Sequence, residues 1–162
     1  MASYRLILGI IIGIVLSFFS VFFFNMENLI NQIKTNANSD LLKAIALLVG
    51  ANFKFDIIAF FSGTLTVTGF FAAQLLAWLF IGYVSGTIAK GLKRGIISSV
   101  LVVVVVLLIW IILSIISGVD LMALFQGNQL TETLGGIFSG FLGAFIGGLI
   151  GGSVSGPYEE FY

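Results

Sequence analysis

The sequence predicts an all-α integral membrane protein: four transmembrane helices, a Gly-rich final helix, and an interfacial or re-entrant segment between helices one and two. Three observations predict it. Of 162 residues, 59% are hydrophobic and 9% charged, with a mean hydropathy of +1.19, whereas about a quarter of the residues of a soluble domain are charged. Uncharged apolar stretches recur at lengths suited to a hydrocarbon core of about 30 Å, which takes roughly 20 helical residues to cross. From Gly135 to Gly156 the chain repeats two small residues followed by two others, through Gly135-Gly136, Ser139-Gly140, Gly143-Ala144, Gly147-Gly148, Gly151-Gly152 and Ser155-Gly156.

The first predicted span, residues 6–24, carries no charge. It ends in Phe22-Phe23-Phe24 rather than in the small residues of a signal-peptide cleavage site, so it reads as a retained helix. Gly9, Gly13 and Ser17 give it a small-residue seam at intervals of four, and such seams let helix backbones approach closely in lipid. The extracytoplasmic segment, residues 25–64, begins polar and asparagine-rich, as a loop or a short surface helix. Within it, Leu41 to Phe61 is apolar but interrupted by Lys43, Lys54 and Asp56, which predicts an interfacial or re-entrant piece rather than a full crossing.

Ser62-Gly63-Thr64 supplies a natural break and helix cap ahead of the second span, residues 65–89. Gly69, Ala73 and Ala77 form a second seam there, continued by Gly82 and Gly86, and Gln74 reads as the one amide in any span. Lys90 to Gly95 is the tightest basic cluster and predicts a short loop to an antiparallel third span, residues 96–117. Leu101 to Leu113 of that span contains no small residue and suits lipid tails or a bulky partner.

The fourth span, residues 133–156, holds the small-pair rhythm, with Glu132 placed at its positive N-terminal end and Gly156-Pro157 as its stop. Interior glycine costs about 1 kcal/mol against alanine in a water-exposed helix. In lipid the backbone must satisfy itself as a helix, and glycine becomes a contact surface. A period of four drifts about 40° per step on a helix of 3.6 residues per turn, so the stripe winds and should meet more than one neighbour. Gly9, Gly13, Gly69, Ala73, Gly140, Gly143, Gly147, Gly148, Gly151 and Gly152 are the expected helix-contact residues. The last helix shows more small surface than three neighbours require, which points to a further subunit or copy.

The chemistry expected is sparse. The chain has no cysteine and no histidine, which removes disulfides, thiolate and imidazole metal sites and most acid–base catalysis. No span holds an ionisable residue, the usual mark of a proton relay or ion site. The net charge is zero with no basic stripe for nucleic acid. No cofactor, metal or catalytic residue is expected, and the chain reads as non-enzymatic.

Thr64 to Phe70 loosely resembles the Thr-Val-Gly-Tyr-Gly filter of potassium channels, whose carbonyls replace ion hydration. Thr68 stands where the first filter glycine belongs, and the second glycine is missing.

The expected function is therefore that of a small structural or accessory subunit, held to other membrane subunits or to copies of itself by glycine-mediated helix packing. The alternative is a channel or transporter for a neutral or weakly hydrated solute, lined by Thr66, Thr68 and Gln74. Arg5, Lys90, Lys93 and Arg94 place both termini on the cytoplasmic side of the plasma membrane by the positive-inside rule, with residues 1–162 as one membrane domain.

Overall fold

The computed structural model describes residues 2–24, 27–37, 40–54, 73–118 and 126–157. Their regular structure is helical, with no strand among the described residues: α1 (Ala2–Phe23), α2 (Glu27–Ala37), α3 (Leu41–Gly50) continued by a 3₁₀ turn (Ala51–Phe53), α4 (Ala73–Ala89), α5 (Leu92–Ile116) and α6 (Gly127–Val154). Three of these helices are long and apolar enough to cross a membrane, over Tyr4–Phe23, Leu92–Ile116 and Gln129–Val154. The apolar part of α4, Gln74–Ala89, is shorter. The expected start of that span at residue 65, together with Thr66, Thr68, Gly69 and the break at Ser62-Gly63-Thr64, lies outside the described residues.

Two helices start earlier than the sequence predicts. α5 begins at Leu92 rather than residue 96, so Lys93 and Arg94 occupy its first turn and the connection from α4 is only Lys90-Gly91. That turn is made by two left-handed residues, Lys90 at φ 53° and Gly91 at φ 85°. The Lys90 N–H donates to Gly86 O at 3.2 Å and the Gly95 N–H to Gly91 O at 2.8 Å, closing both helix ends. Charge misled the boundary, because long basic side chains reach the interface from within a helix as easily as from a loop. Likewise α6 starts at Gly127 rather than residue 133, and its first turn holds no acid. Glu132 thus sits past the turn in which the helix dipole acts. The other end of α6 stops through Ser155, Gly156 at φ 75° and Pro157, with the Gly156 N–H donating to Ser153 O at 3.3 Å.

α4 and α5 lie between α1 and α6, and α6 packs most extensively on α4. A Cβ on Gly9 would lie 3.5 Å from Ala89 N, and one on Gly152 would lie 2.8 Å from Gly91 O. The start of α1, the α4–α5 turn and the end of α6 therefore share one end of the bundle. At the opposite end α2 lies as an amphipathic cap. Its Ile30 and Ile33 pack on a cluster of Val21, Ala51 and Ala77, and Asn31, Gln32, Lys34 and Thr35 face outward. Asp40 caps α3, accepting from the Lys43 N–H at 3.2 Å. α3 then runs inward, and its 3₁₀ turn ends inside the bundle with Ala51, Asn52 and Phe53 each 0% exposed.

Candidate functional site

Two constructions dominate the interior: a ladder of small residues along α6, and the seat that receives the 3₁₀ turn. The ladder follows from the sequence rhythm. Gly135-Gly136, Ser139-Gly140, Gly143-Ala144, Gly147-Gly148 and Gly151-Gly152 are all buried, while Phe138, Phe145, Ile146, Leu149, Ile150 and Val154 between and beyond them are exposed. Most of the small residues meet α4, and some also meet α5 or the 3₁₀ turn. Gly143, Gly147 and Gly151 face α4, where a Cβ would meet Leu75 O at 3.1 Å, Leu79 O and Tyr83 O respectively. Gly148 and Gly152 reach α5, against Gly95 O at 2.7 Å and Leu92 Cα at 3.1 Å. Gly136 touches the 3₁₀ turn at the Phe53 carbonyl, and Gly140 meets Trp78 of α4 (3.1 Å) and Phe53 of the turn (3.5 Å).

The stripe therefore does meet more than one neighbour, and all of them belong to this chain. The small surface expected to be left over for a further subunit is occupied by α4, α5 and the 3₁₀ turn. The α1 seam behaves in the same way. Gly9 packs against Ser85 and Ser98, and Gly13 against Val102. Ala73 opens α4, and Gln74 is half-buried near the start of that helix.

The seat of the 3₁₀ turn is built from neutral polar groups inside an apolar shell. Asn52 Nδ2 donates to Ser17 O at 2.9 Å, and its Oδ1 lies 2.8 Å from the Ser20 hydroxyl, which donates to it. Ser17 O also lies 2.7 Å from Ser20 Oγ, so one hydroxyl proton is shared between two acceptors. The Asn52 carbonyl accepts from Trp78 Nε1 at 2.8 Å. One residue thus ties α3 to both α1 and α4. Phe53 stacks on Trp110 at 5.5 Å between centroids and leans on Trp78 at 5.2 Å, and Val49, Val102, Val103 and Val106 complete the cluster.

The remaining buried polar residues are hydroxyls. Ser85 and Ser98 bond each other at 2.7 Å. Ser99 and Ser139 bond carbonyls three residues back in their own helices, at 3.0 and 2.9 Å, as serines in apolar helices commonly do. No group of acids that could hold a metal occurs among the described residues.

Asn52 was missed by sequence reasoning, which counted Gln74 as the sole amide in a span. The signal was present, since Asn52 is the single amide in the apolar run from Leu41 to Phe53. An uncompensated amide in an apolar environment costs several kcal/mol, on the order of 2–7, so such a residue implies partners. The sequence could not say which partners.

No protein-family model matches the chain, and neither a curated protein sequence nor a solved structure is significantly similar to it. Function must be read from the interior itself.

Proposed function

We propose that this chain is a small, non-enzymatic structural or accessory subunit of a membrane complex or homo-oligomer. In this reading the bundle is a solid anchor, and what it offers a partner is its outer cap of α2 and the start of α3. The observation that carries the proposal is the character of the core. Among the described residues every buried polar residue is a serine, a threonine or Asn52, and the glycines of α6 bring its backbone against those of α4 and α5. A neutral interior suits holding a shape better than moving a charge. The glycine packing acts inside the chain, setting the cap at a fixed place.

The orientation follows from charge. The end bearing Arg5, Lys90, Lys93 and Arg94 is cytoplasmic in this proposal, with the α2 cap on the outer face of the plasma membrane. The chain lacks cysteine, so Lys93→Cys provides a unique label. It should react with a membrane-impermeant maleimide only after the membrane is opened, while Lys34→Cys should react in intact cells.

The test of function is purification in a mild detergent, followed by reconstitution of the chain alone. Partners retained at fixed stoichiometry, or a defined homo-oligomer, support the subunit reading. Solute or ion flux through liposomes holding only this chain would overturn it in favour of a channel or transporter.

A further inference from the structure

The two ends of the bundle differ in charge. Among the described residues, Arg5, Lys90, Lys93 and Arg94 lie at one end with no acid in that set, whereas Glu27, Asp40 and Glu132 all belong to the other. Arg94 stands in the first turn of α5 and is half-buried. Its Nη1 is buried, and the residue is engaged in an interaction. A guanidinium drawn out of water is costly to leave without a counter-charge. The described residues bring no carboxylate to this end to supply one.

The chain itself carries two acids to this place. α6 ends where α5 begins: a Cβ on Gly95 would lie 2.9 Å from Gly152 Cα, and one on Gly152 would lie 3.1 Å from Leu92 Cα. Gly156 then turns left-handed at φ 75° and Pro157 follows, so the chain leaves the helix axis there. Glu159 and Glu160 come three and four residues after Gly156. An extended chain covers about 3.5 Å per residue, or roughly 10–14 Å over those steps. A helix with its side chains is about 10–12 Å across. The reach of the two carboxylates thus matches the width of α5. Asp56 and Asp120 are no rivals, because each lies two residues beyond Lys54 or Gly118, which belong to the opposite end of the bundle.

We propose that residues 158–162 fold back beneath the basic end of the bundle, where Glu159 and Glu160 serve as counter-ions of Arg94, with Lys93 and Lys90 at the edge of the same contact. The tail is then a clasp that joins the end of α6 to the first turn of α5. It also covers cations that would otherwise meet anionic lipid. The clasp does not depend on the chain being a subunit.

The experiment treats the full chain in a neutral detergent with a water-soluble carbodiimide, which joins a carboxylate to a touching lysine amine as an amide with loss of water. Peptide mapping by mass spectrometry should find Glu159 or Glu160 linked to Lys93 or Lys90. Raising the salt from about 20 to about 500 mM screens such pairs and should lower the yield about fivefold, as should Arg94→Gln. Arg94→Lys keeps the charge, so it should hold the yield and add a direct link at its own position. Lys43→Gln, at the far end, should change nothing.

A tail left unlinked at low salt would overturn the proposal, and so would equal linkage to Lys34 or Lys43. A yield indifferent to Arg94→Gln would do the same. Links found only between isotope-labelled and unlabelled chains would assign the tail to a second copy instead. A link kept in phosphatidylcholine vesicles but lost in phosphatidylglycerol vesicles would assign the cations to the membrane surface.

Discussion

At the basic end of the bundle the helices meet through Gly9, Ser85, Gly86, Gly95, Ser98, Gly148 and Gly152, residues with at most two side-chain heavy atoms. At the other end the space between the same helices is filled by Phe53, Trp78 and Trp110 with the valines around them. The helices can touch backbone to backbone at the first end. At the second the 3₁₀ turn of α3 inserts between the helices, although α4 and α6 still meet there, with a Cβ on Gly143 placed 3.1 Å from Leu75 O. The first end is thus narrow in side-chain volume and the second wide. The two ends also use different forces. Small residues win contact through van der Waals approach, since lipid offers no hydrophobic drive between helices. The aromatic end adds directed bonds from Asn52, because the inserted turn would otherwise leave amides and carbonyls unmet in an apolar medium.

This contrast can be broken at the wide end. A Cβ at Gly136 would overlap the Phe53 carbonyl. Neither partner is the end of a flexible side chain, so Gly136→Ala should expel the inserted turn. We expect a loss of 3 kcal/mol or about that figure, the upper range of overpacking costs, read as denaturant unfolding in detergent with Trp78 and Trp110 fluorescence as the probe. An unchanged midpoint would mean that the turn is not held at the wide end.

Gly147→Leu strikes the narrow end instead, against Leu79 O and Tyr83 N (2.8 Å). It should part α4 from α6 at a cost of roughly 2–3 kcal/mol, so any complex is lost through misfolding of the bundle. A folded monomer that merely fails to associate would show that the ladder faces a partner, contrary to the packing described here.

Asn52→Leu should cost less, about 1–2 kcal/mol, since it removes hydrogen bonds to Ser17 and Ser20 while keeping volume. The Asn52 carbonyl keeps its Trp78 bond, so Trp78→Phe should add its own smaller loss in a double-mutant cycle. Strict additivity of the two would separate the α1 and α4 attachments, whereas coupling would make them one joint.

Ser85→Ala with Ser98→Ala probes the inter-helix hydroxyl pair of the narrow end. Its coupling should be near 0.6 kcal/mol, the average for such bonds in membranes. A coupling well above that would mean that the narrow end also relies on polar bonds. Ile112→Val, on the exposed face of α5, should change stability by less than about 0.5 kcal/mol and sets the baseline for both ends.

The narrow end was legible in the sequence and the wide end was not. Gly143, Gly147, Gly148, Gly151 and Gly152 announce a contact surface because only small residues allow backbones to meet, and their spacing alone gives a stripe that turns. Nothing in the spacing distinguishes a neighbour in the same chain from another subunit, which is why the small surface looked more than one chain could use. Phe53 and Trp110 gave no such sign. An aromatic in an apolar run looks the same whether it points to lipid or to the core, and the stacking partners are 57 residues apart in sequence.

The sequence by itself determined that the chain is helical, with helices long and apolar enough to cross a membrane, and where close contact is possible. Those are properties of local composition and period, which a single segment carries alone. Only the tertiary structure decided that α4, α5 and the 3₁₀ turn take up the glycine stripe, and that Asn52 finds Ser17, Ser20 and Trp78. Each depends on the relative placement and register of distant helices. That placement is fixed by the fit of all their side chains at once, and no stretch of sequence holds it.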